Sequence, residues 1–209
     1  MGIKKIFIST ILIFRLLFIV ILFNYVNQPA QASHLVGGEL EVNLLDSNQY
    51  EVTLNYYLDC DGNPQAFSND LPITVNYSSN SCNENKSTNL SQIKNTGKDI
   101  APICESATSS CDGGSTRGIE RYVFRDTVTL SQCDDWVFSW SETARSAAIT
   151  TIQNPGNEDI YLKAEIDNKN FQDNNAPTFT NPPLAFVCKG QDNVYNQGAV
   201  DPEGDSLLY

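Results

Sequence analysis

The chain has 209 residues, of which 41% are hydrophobic and 18% charged, and its formal net charge is −12. That length suits one domain with an additional segment rather than a large multidomain enzyme. The first 32 residues contain three basic residues and no acidic residue, so residues 33–209 carry a net charge of −15. Such an acidic surface repels phosphate backbones and argues against a nucleic-acid partner, while the hydrophobic content argues against a chain that is disordered throughout.

Residues 1–32 have the features of a secretory signal peptide. Two lysines precede an apolar run from Ile6 to Val26, and Ala30-Gln31-Ala32 is the small-residue pattern that signal peptidase cleaves. Ser33 is therefore the predicted mature N-terminus. The alternative is an uncleaved anchor, but Arg15 would then lie near the bilayer centre at a cost of about 2.5 to 3.5 kcal/mol. We expect an exported protein, extracellular or on the outer cell surface, with no transmembrane segment after cleavage.

All six cysteines lie beyond the predicted cleavage point: Cys60, Cys82, Cys104, Cys111, Cys133 and Cys188. An even number of cysteines in an oxidising compartment predicts three disulfide bonds. A zinc site is the alternative, but no Cys-x-x-Cys pair occurs and the only histidine is His34. Among the possible pairings we favour Cys104 with Cys111, because the serines and glycines beside them supply a flexible turn.

Alternating apolar residues predict six half-buried strands. The clearest is Tyr50–Leu58, and the others lie at Leu40–Leu44, Ile73–Tyr77, Tyr122–Leu130, Trp136–Trp140 and Ile160–Ile166. Strands with one apolar face each bury those faces best in two packed antiparallel sheets. The predicted fold class is therefore all-β, an antiparallel β-sandwich stabilised by disulfides.

Polar segments separate these strands. The stretches Ser78–Thr96 and Glu105–Gly118 are rich in Asn, Ser, Asp and Gly, and we expect long loops there, held by disulfide bonds. The polar stretch Asp167–Pro177 predicts a domain boundary, because Pro177 forces the residue before it into an extended conformation. Residues 33–170 would form the sandwich module.

Residues 171–209 would form a linker and an incomplete second β-domain of the immunoglobulin-like or cadherin-like type. Its strand candidates are Thr178–Thr180, Leu184–Val187, Val194–Val200 and Leu207–Tyr209. The last candidate reaches the end of the chain, so we expect either a fragment of a longer protein or extra strands added to the first domain.

Two acidic loops are candidate calcium sites. Asp201, Glu203 and Asp205 alternate around a turn, and Asp173 and Asn174 of the linker could add oxygens to the about six to eight that Ca²⁺ takes. Weaker candidates are Asp59 and Asp61, where the short loop favours an Asx turn instead. No other cofactor is predicted.

The sequence argues against catalysis. The only histidine would be the second residue of the mature chain, and a mobile end cannot hold a general base in place. No serine-hydrolase, zinc-protease or phosphate-loop motif occurs. A glycosidase needs only two carboxylates, so a small acidic hydrolase remains a minority alternative.

The aromatic residues allow two interpretations. Trp136, Phe138 and Trp140 could form a sugar-stacking platform, but alternate spacing in one strand favours burial in the core. Tyr56 and Tyr57 point to opposite faces of their strand, so we expect at least one of them to be exposed.

An ordered series of short motifs runs through residues 33–209. It comprises Ser33-His34-Leu35-Val36-Gly37-Gly38-Glu39, Tyr50-x-Val52-Thr53-Leu54-x-Tyr56-Tyr57-x-Asp59-Cys60-Asp61-Gly62, Cys133-Asp134-Asp135-Trp136-x-Phe138-Ser139, Arg145-x-Ala147-Ala148-Ile149, Asn154-Pro155-Gly156, Pro177-Thr178-Phe179 and Gly198-Ala199-Val200-Asp201-Pro202-Glu203-Gly204-Asp205-Ser206-Leu207. The series resembles the N-terminal module of large Bacteroidota surface proteins, which often carry PKD or other immunoglobulin-like repeats and a gliding-motility-associated sorting region. The resemblance implies a structural or adhesive surface protein, exported to the periplasm and then across the outer membrane by type IX secretion.

Two departures limit what the resemblance implies. The family usually has Cys-Cys-Arg-Asn where this chain has Thr143-Ala144-Arg145-Ser146, and Gln172-Asp173-Asn174 replaces a family cysteine, so disulfide pairs of the family do not transfer. The predicted function is a non-catalytic secreted or cell-surface structural or adhesion module, the N-terminal part of a larger protein, with an extracellular protein or polysaccharide as its partner. The alternative is a carbohydrate-binding module of a secreted hydrolase.

Overall fold

A computed structural model of the chain describes residues 34–61, 72–103, 106–143, 145–183, 187, 190 and 192–208. The predicted fold class is confirmed: the described part is almost entirely antiparallel β-strand, with single-turn 3₁₀ helices at Ser110–Asp112 and Pro155–Asn157. No helix in it is long and apolar enough to cross a bilayer. The predicted signal peptide, residues 1–32, lies outside the described residues.

The strands include all six that the alternating pattern predicts. They are β1 Leu35–Asp46, β2 Gln49–Asp59, β3 Ile73–Ser79, β4 Glu84–Gln92, β5 Lys98–Asp99, β6 Ile119–Thr129, β7 Trp136–Thr143, β8 Asp159–Ile166, β9 Thr178–Phe179 and β10 Ala199–Val200. Strands β1, β2, β3, β6, β7 and β8 are the predicted ones.

The long strands form one folded sheet in the order β1-β2-β6-β4-β3-β7-β8, with β5 pairing beside β6. β2 pairs with β6 along its whole length and ends with Asp59 opposite Ile119. β4 pairs with β3 over most of its length but with β6 only at Ser91 and Gln92. β4 therefore passes from one layer to the other, and the sheet folds there into a sandwich of β1-β2-β6 on β3-β7-β8.

β4 corrects the sequence analysis. The predicted loop at Ser78–Thr96 is wrong, because Glu84–Gln92 is a strand. Leu90 is its only fully buried residue, so β4 lacks the alternating apolar side chains that identify a strand in a sequence. Its pairing with β3, rather than apolar burial, holds it in place.

The core lies between the two layers and is built on aromatic contacts. Tyr56 of β2 meets Trp140 of β7 edge to face, with ring centroids 5.7 Å apart, and Tyr77 of β3 stacks on Phe138 of β7 at 5.2 Å. Trp136 and Trp140 are only 0% and 4% exposed, so the core interpretation is confirmed and no sugar-stacking platform forms there.

Closure of the sandwich depends on Gly38. The end strands of the folded sheet, β1 and β8, lie against each other without a hydrogen-bonded ladder. A Cβ atom at Gly38 would lie 3.0 Å from the carbonyl oxygen of Asn55 and 3.0 Å from Cδ1 of Leu162. The absent side chain thus lets β1 approach β8 over Trp140.

Two disulfide bonds, Cys60–Cys111 and Cys82–Cys133, join connecting segments, with Cα atoms 5.0 and 6.0 Å apart. The predicted pairing of Cys104 with Cys111 is wrong. The hydrogen-bonded pairing of β2 with β6 places Cys60 at the base of the loop 106–118, where its N–H donates to the Gly118 carbonyl. Strand register, and not closeness in sequence, therefore decides which cysteines form the disulfide bond. Cys104 and Cys188 lie outside the described residues, and a third bond stays a prediction.

A carboxylate reinforces the second disulfide bond. Asp135, two residues after Cys133, accepts hydrogen bonds from the hydroxyls of Ser79 and Ser81 and from the backbone N–H groups of Asn80 and Ser81. The serine hydrogen bonds hold the pKa of Asp135 below its usual range. The β3–β4 turn is therefore fixed to the β6–β7 connection both covalently and by hydrogen bonds.

The predicted C-terminal strands are only partly present. β9 and β10 form a separate two-stranded sheet. They cover the first two residues of Thr178–Thr180 and the last two of Val194–Val200. Residues 184–186 and 209 lie outside the described residues, while Val187, Leu207 and Leu208 are not in strands.

The predicted linker lies along the free edge of β1. The Ala176 N–H donates to the Val42 carbonyl, and the Leu44 N–H donates to the side-chain oxygen of Asn175. Residues Ala32–Tyr209 belong to one compact unit. The identification of residues 171–209 as the start of a second immunoglobulin-like or cadherin-like domain stays a prediction.

Replacement of Gly38 tests the closure of the sandwich. We expect Gly38→Ala to lower the free energy of unfolding by about 1 to 3 kcal/mol, because the new methyl group crowds Asn55 and Leu162. Chemical denaturation with the disulfides intact measures the change. Gly156→Ala is the control: no described atom lies within 4 Å of the methyl group it adds. Equal unfolding midpoints for the two variants would contradict this role of Gly38.

Candidate functional site

A cavity of about 420 Å³ opens where β1 begins and β2 ends. This volume falls within the range of about 300 to 1,000 Å³ that is typical of small-ligand sites. Its described walls are Val36 and Gly37 of β1, Tyr57 and Asp59 of β2, Arg117 and Ile119 around the start of β6, Arg145 and residues 148–152 of the β7–β8 connection, and Pro183 and Val187. The walls combine branched apolar side chains with two guanidinium groups.

Asp59 is the only carboxylate among the described lining residues, and Arg117 neutralises it. The Asp59 side chain is 3% exposed, and one of its oxygens accepts hydrogen bonds from Arg117 Nη1 and, at 3.4 Å, from the Ser146 hydroxyl. Its other oxygen accepts the Asp61 N–H at 3.0 Å, which is the Asx turn that the sequence favours. The Asp61 carboxylate lies 3.3 Å from Arg117 Nη2. Both weaker calcium candidates thus bind an arginine.

The Cys60–Cys111 disulfide holds the loop that carries Arg117. Cys111 lies in the 3₁₀ helix of this loop, and the Ser110 hydroxyl accepts the Gly118 N–H at 3.0 Å. Both sulfurs lie within 4.8 Å of a carboxylate oxygen of Glu120, the one such group of potential metal ligands in the described part. Sulfurs joined in a disulfide are not thiolates and do not ligate a metal. The bond therefore has a structural role.

Arg145 is half-buried, and hydrogen bonds to the backbone carbonyls of other residues hold both its main chain and its side chain. Its N–H donates to the Pro155 carbonyl at 3.2 Å, and its Nε–H donates to the Asp159 carbonyl at 3.1 Å. The next residue, Ser146, donates its N–H to the Leu35 carbonyl at 2.8 Å, which ties the β7–β8 connection to the start of β1. Among the described residues, no carboxylate lies within ion-pair distance of Arg145.

Tyr57 connects the cavity wall to a carboxylate pair on the outer face of β1. Its hydroxyl donates to Glu39 at 2.8 Å, and the Asn55 side-chain nitrogen donates to Glu39 at 3.4 Å and to Glu41 at 3.1 Å. Burial raises the pKa of both glutamates, and the charge of Glu39 raises the pKa of Glu41 further. Arg121 lowers both pKa values but does not cancel the shift.

The expectation that Tyr56 or Tyr57 is exposed is wrong, because they are only 5% and 1% exposed. Tyr56 lies in the core. Tyr57 faces outward, but long side chains such as Glu39 cover it. Alternation along a strand predicts which face a side chain occupies, not whether its neighbours cover that face.

The acidic loop of residues 201–205 closes on itself. One oxygen of Asp201 accepts the N–H groups of Glu203 at 3.1 Å and Asp205 at 3.0 Å. Glu203 accepts hydrogen bonds from the backbone and the side chain of Asn175, so the loop does meet the linker. In the described part, these acidic residues do not form a group of three converging ligands.

Two buried polar side chains, Tyr50 and Asn168, lie near this junction. Burial raises the pKa of Tyr50, a hydrogen bond from the Asn168 side chain lowers it in part, and the charges of Asp173 and Glu203 raise it further. An amide nitrogen is a donor and does not ligate a cation. Calcium at Asp173, Asn174, Asp201, Glu203 and Asp205 stays a prediction.

Sequence analysis did not single out Arg117 or Arg145 as cavity residues. The signal that could have found them is the scarcity of basic residues, since residues 33–209 contain ten against 25 acidic ones. An arginine in a polar connection of so acidic a chain deserves a search for its partner.

Comparison of the chain with models of protein families, with characterised proteins and with solved structures finds no match. The resemblance to Bacteroidota surface proteins therefore rests on the motif series alone and stays a prediction.

Substitution of Glu41 tests the carboxylate pair. Because its folded-state pKa is raised, the ionised carboxylate destabilises the fold above that pKa, and this cost disappears as the pH falls through it. We expect Glu41→Gln to raise the free energy of unfolding at pH 7, by less than about 1 kcal/mol because the group is half exposed to water. The gain should vanish near pH 4. Denaturant titrations at several pH values measure it.

The exposed Glu158 provides the matched control for this experiment. Glu158→Gln removes the same charge from an acidic surface without touching the pair. A pH-dependent gain of equal size in both variants would assign the effect to net charge.

Thermal melting tests the calcium candidates. Because the carboxylates of Asp201 and Glu203 already accept internal hydrogen bonds, we expect, against the calcium site that the sequence predicts, the same melting temperature in chelator and in millimolar Ca²⁺. A rise in Ca²⁺ that Asp201→Asn abolishes would establish a calcium site and contradict this interpretation.

Proposed function

We propose that this chain is an exported, non-catalytic binding module of structural or adhesive type and the N-terminal part of a larger surface protein. The observation that carries the proposal is the pair of disulfide bonds. In the paired strands β2 and β6, Cys60–Cys111 lies beside the Asp59–Ile119 end, and Cys82–Cys133 lies beyond the Gln49–Thr129 end. Disulfides persist in oxidising compartments, which supports a location outside the cytosol.

The cavity chemistry supports binding over hydrolysis. Asp59 is the only carboxylate among the described lining residues, and its ion pair with Arg117 removes it as a general base. Glu39 and Glu41 share hydrogen bonds from Asn55, but they are not among the lining residues. A two-carboxylate mechanism needs both groups to flank a bound substrate.

The burial of Trp136 and Trp140 weakens the alternative of a carbohydrate-binding module. Sugar rings bind on exposed aromatic faces, and these two rings belong to the core. Other aromatic rings are exposed, among them Tyr161 and Phe171, so the partner we propose is an extracellular protein or polysaccharide. Assignment to a type IX-secreted surface protein rests on the motif series.

Disulfide mapping of the native protein tests export. The full chain is isolated from the cells that make it, alkylated without reduction and digested for mass spectrometry. We expect peptides linked through Cys60–Cys111 and Cys82–Cys133, together with cleavage of the protein by protease added to intact cells. A chain that lacks residues 1–32 should stay inside and alkylate at every cysteine. Free thiols throughout the wild-type protein would refute the proposal.

Adhesion is measured separately. Beads coated with the oxidised full chain should attach to the surface of the producing cells or their extracellular matrix, and beads coated with the reduced, unfolded chain should not. Equal attachment of the two would contradict a binding role for the folded module.

A further inference from the structure

Arg145 presents a cation whose position is fixed but whose charge has no carboxylate partner among the described residues. Its backbone N–H and its Nε–H bind the carbonyl oxygens of Pro155 and Asp159, so two parts of the residue are held in place. Its terminal guanidinium nitrogens have no hydrogen-bond acceptor among the described residues, and the residue lines the cavity. The other lining arginine, Arg117, already binds Asp59 and Asp61.

A guanidinium whose terminal N–H groups have no acceptor among the described residues matches the paired oxygens of an oxyanion. Carboxylates and phosphates both match its paired donors, and such charge-assisted hydrogen bonds are about twice as strong as neutral ones. The acidic net charge of residues 33–209 disfavours a dianion more than a monoanion. A carboxylate is therefore the better match.

The remaining walls describe the rest of the ligand. Ile149 and Ile152 offer partly exposed branched apolar surface to the cavity that Arg145 lines. Tyr57 is the only aromatic residue among the described lining residues and is 1% exposed, so it offers no face on which a sugar ring could stack. A carboxylate attached to an apolar body fits these walls, and a sugar acid does not.

We propose that the cavity binds the C-terminal residue of a peptide or protein, with the carboxylate on Arg145 and an apolar last side chain against the isoleucines. The inference rests on the proposed function of a binding module and names the chemistry of its partner. At about 420 Å³ the cavity takes the last residues of a chain but not a folded domain. Arg145 is the binding residue, and Arg117 holds Asp59 in the cavity wall.

Titration of the oxidised full chain with a labelled probe tests this site. The probes are acetyl-alanyl-alanyl-leucine with a free carboxylate, the same tripeptide as its C-terminal amide, and glucuronate. We expect the free acid to bind at least about tenfold more tightly than the amide, which matches the loss of a charge-assisted hydrogen bond, and glucuronate not to compete. The comparison of acid with amide uses the wild-type protein and does not depend on the folding of any variant. Equal affinity for acid and amide, or competition by glucuronate, would overturn the assignment.

Two charge-matched variants locate the contact. Arg145→Gln should weaken binding of the free acid by about tenfold or more and leave the weak binding of the amide unchanged. Lys94→Gln removes an exposed cation that does not line the cavity and should bind like the wild type. Equal losses in the two variants would show long-range charge rather than contact and would overturn the role of Arg145. If beads coated with the chain adhere but no probe binds, the cavity assignment fails and the adhesive function stands.

Discussion

Packing of two aromatic inner faces is the constraint on which the rest of this structure depends. The six strands that alternation predicts have an apolar face, so neither layer can bury its surface alone, and the contact of Tyr56 with Trp140 joins the two. Gly38 lets β1 approach β8 closely enough to complete that contact. Closure also brings the start of β1 beside the β7–β8 connection, and the cavity with Arg145 lies at that meeting point.

The connecting segments depend on covalent bonds because they have little apolar surface to bury. Residues 106–118 and the β3–β4 turn are polar, and chain segments of that composition do not order themselves by hydrophobic burial. Cys60–Cys111 and Cys82–Cys133 hold them against the paired strands β2 and β6. The first of these bonds fixes the loop that carries Arg117 and so shapes one wall of the cavity.

The charged groups near the cavity have two roles: the carboxylates bind polar groups of the protein itself, and Arg145 is the cation that we propose binds a ligand. Asp59 is buried against Arg117, and Glu39 and Glu41 share the amide of Asn55, so these three carboxylates have polar partners within the protein. Arg145 has only carbonyl partners in the described part. In an acidic chain, a half-buried arginine without a carboxylate among the described residues is the unusual feature, and it directs attention to a ligand that supplies one.

Local side-chain alternation was sufficient to predict six strands, the all-β class and the burial of Trp136 and Trp140, because successive side chains of a strand point to opposite faces. It could not predict β4, because a single buried residue, Leu90, does not make an alternating pattern of apolar side chains. Strand register decided the remaining features: it brought Cys60 to Cys111 and Asp59 to Arg117, a pair 58 residues apart. Contacts between such distant residues depend on how the two layers close, and no short-range pattern in a sequence contains that information.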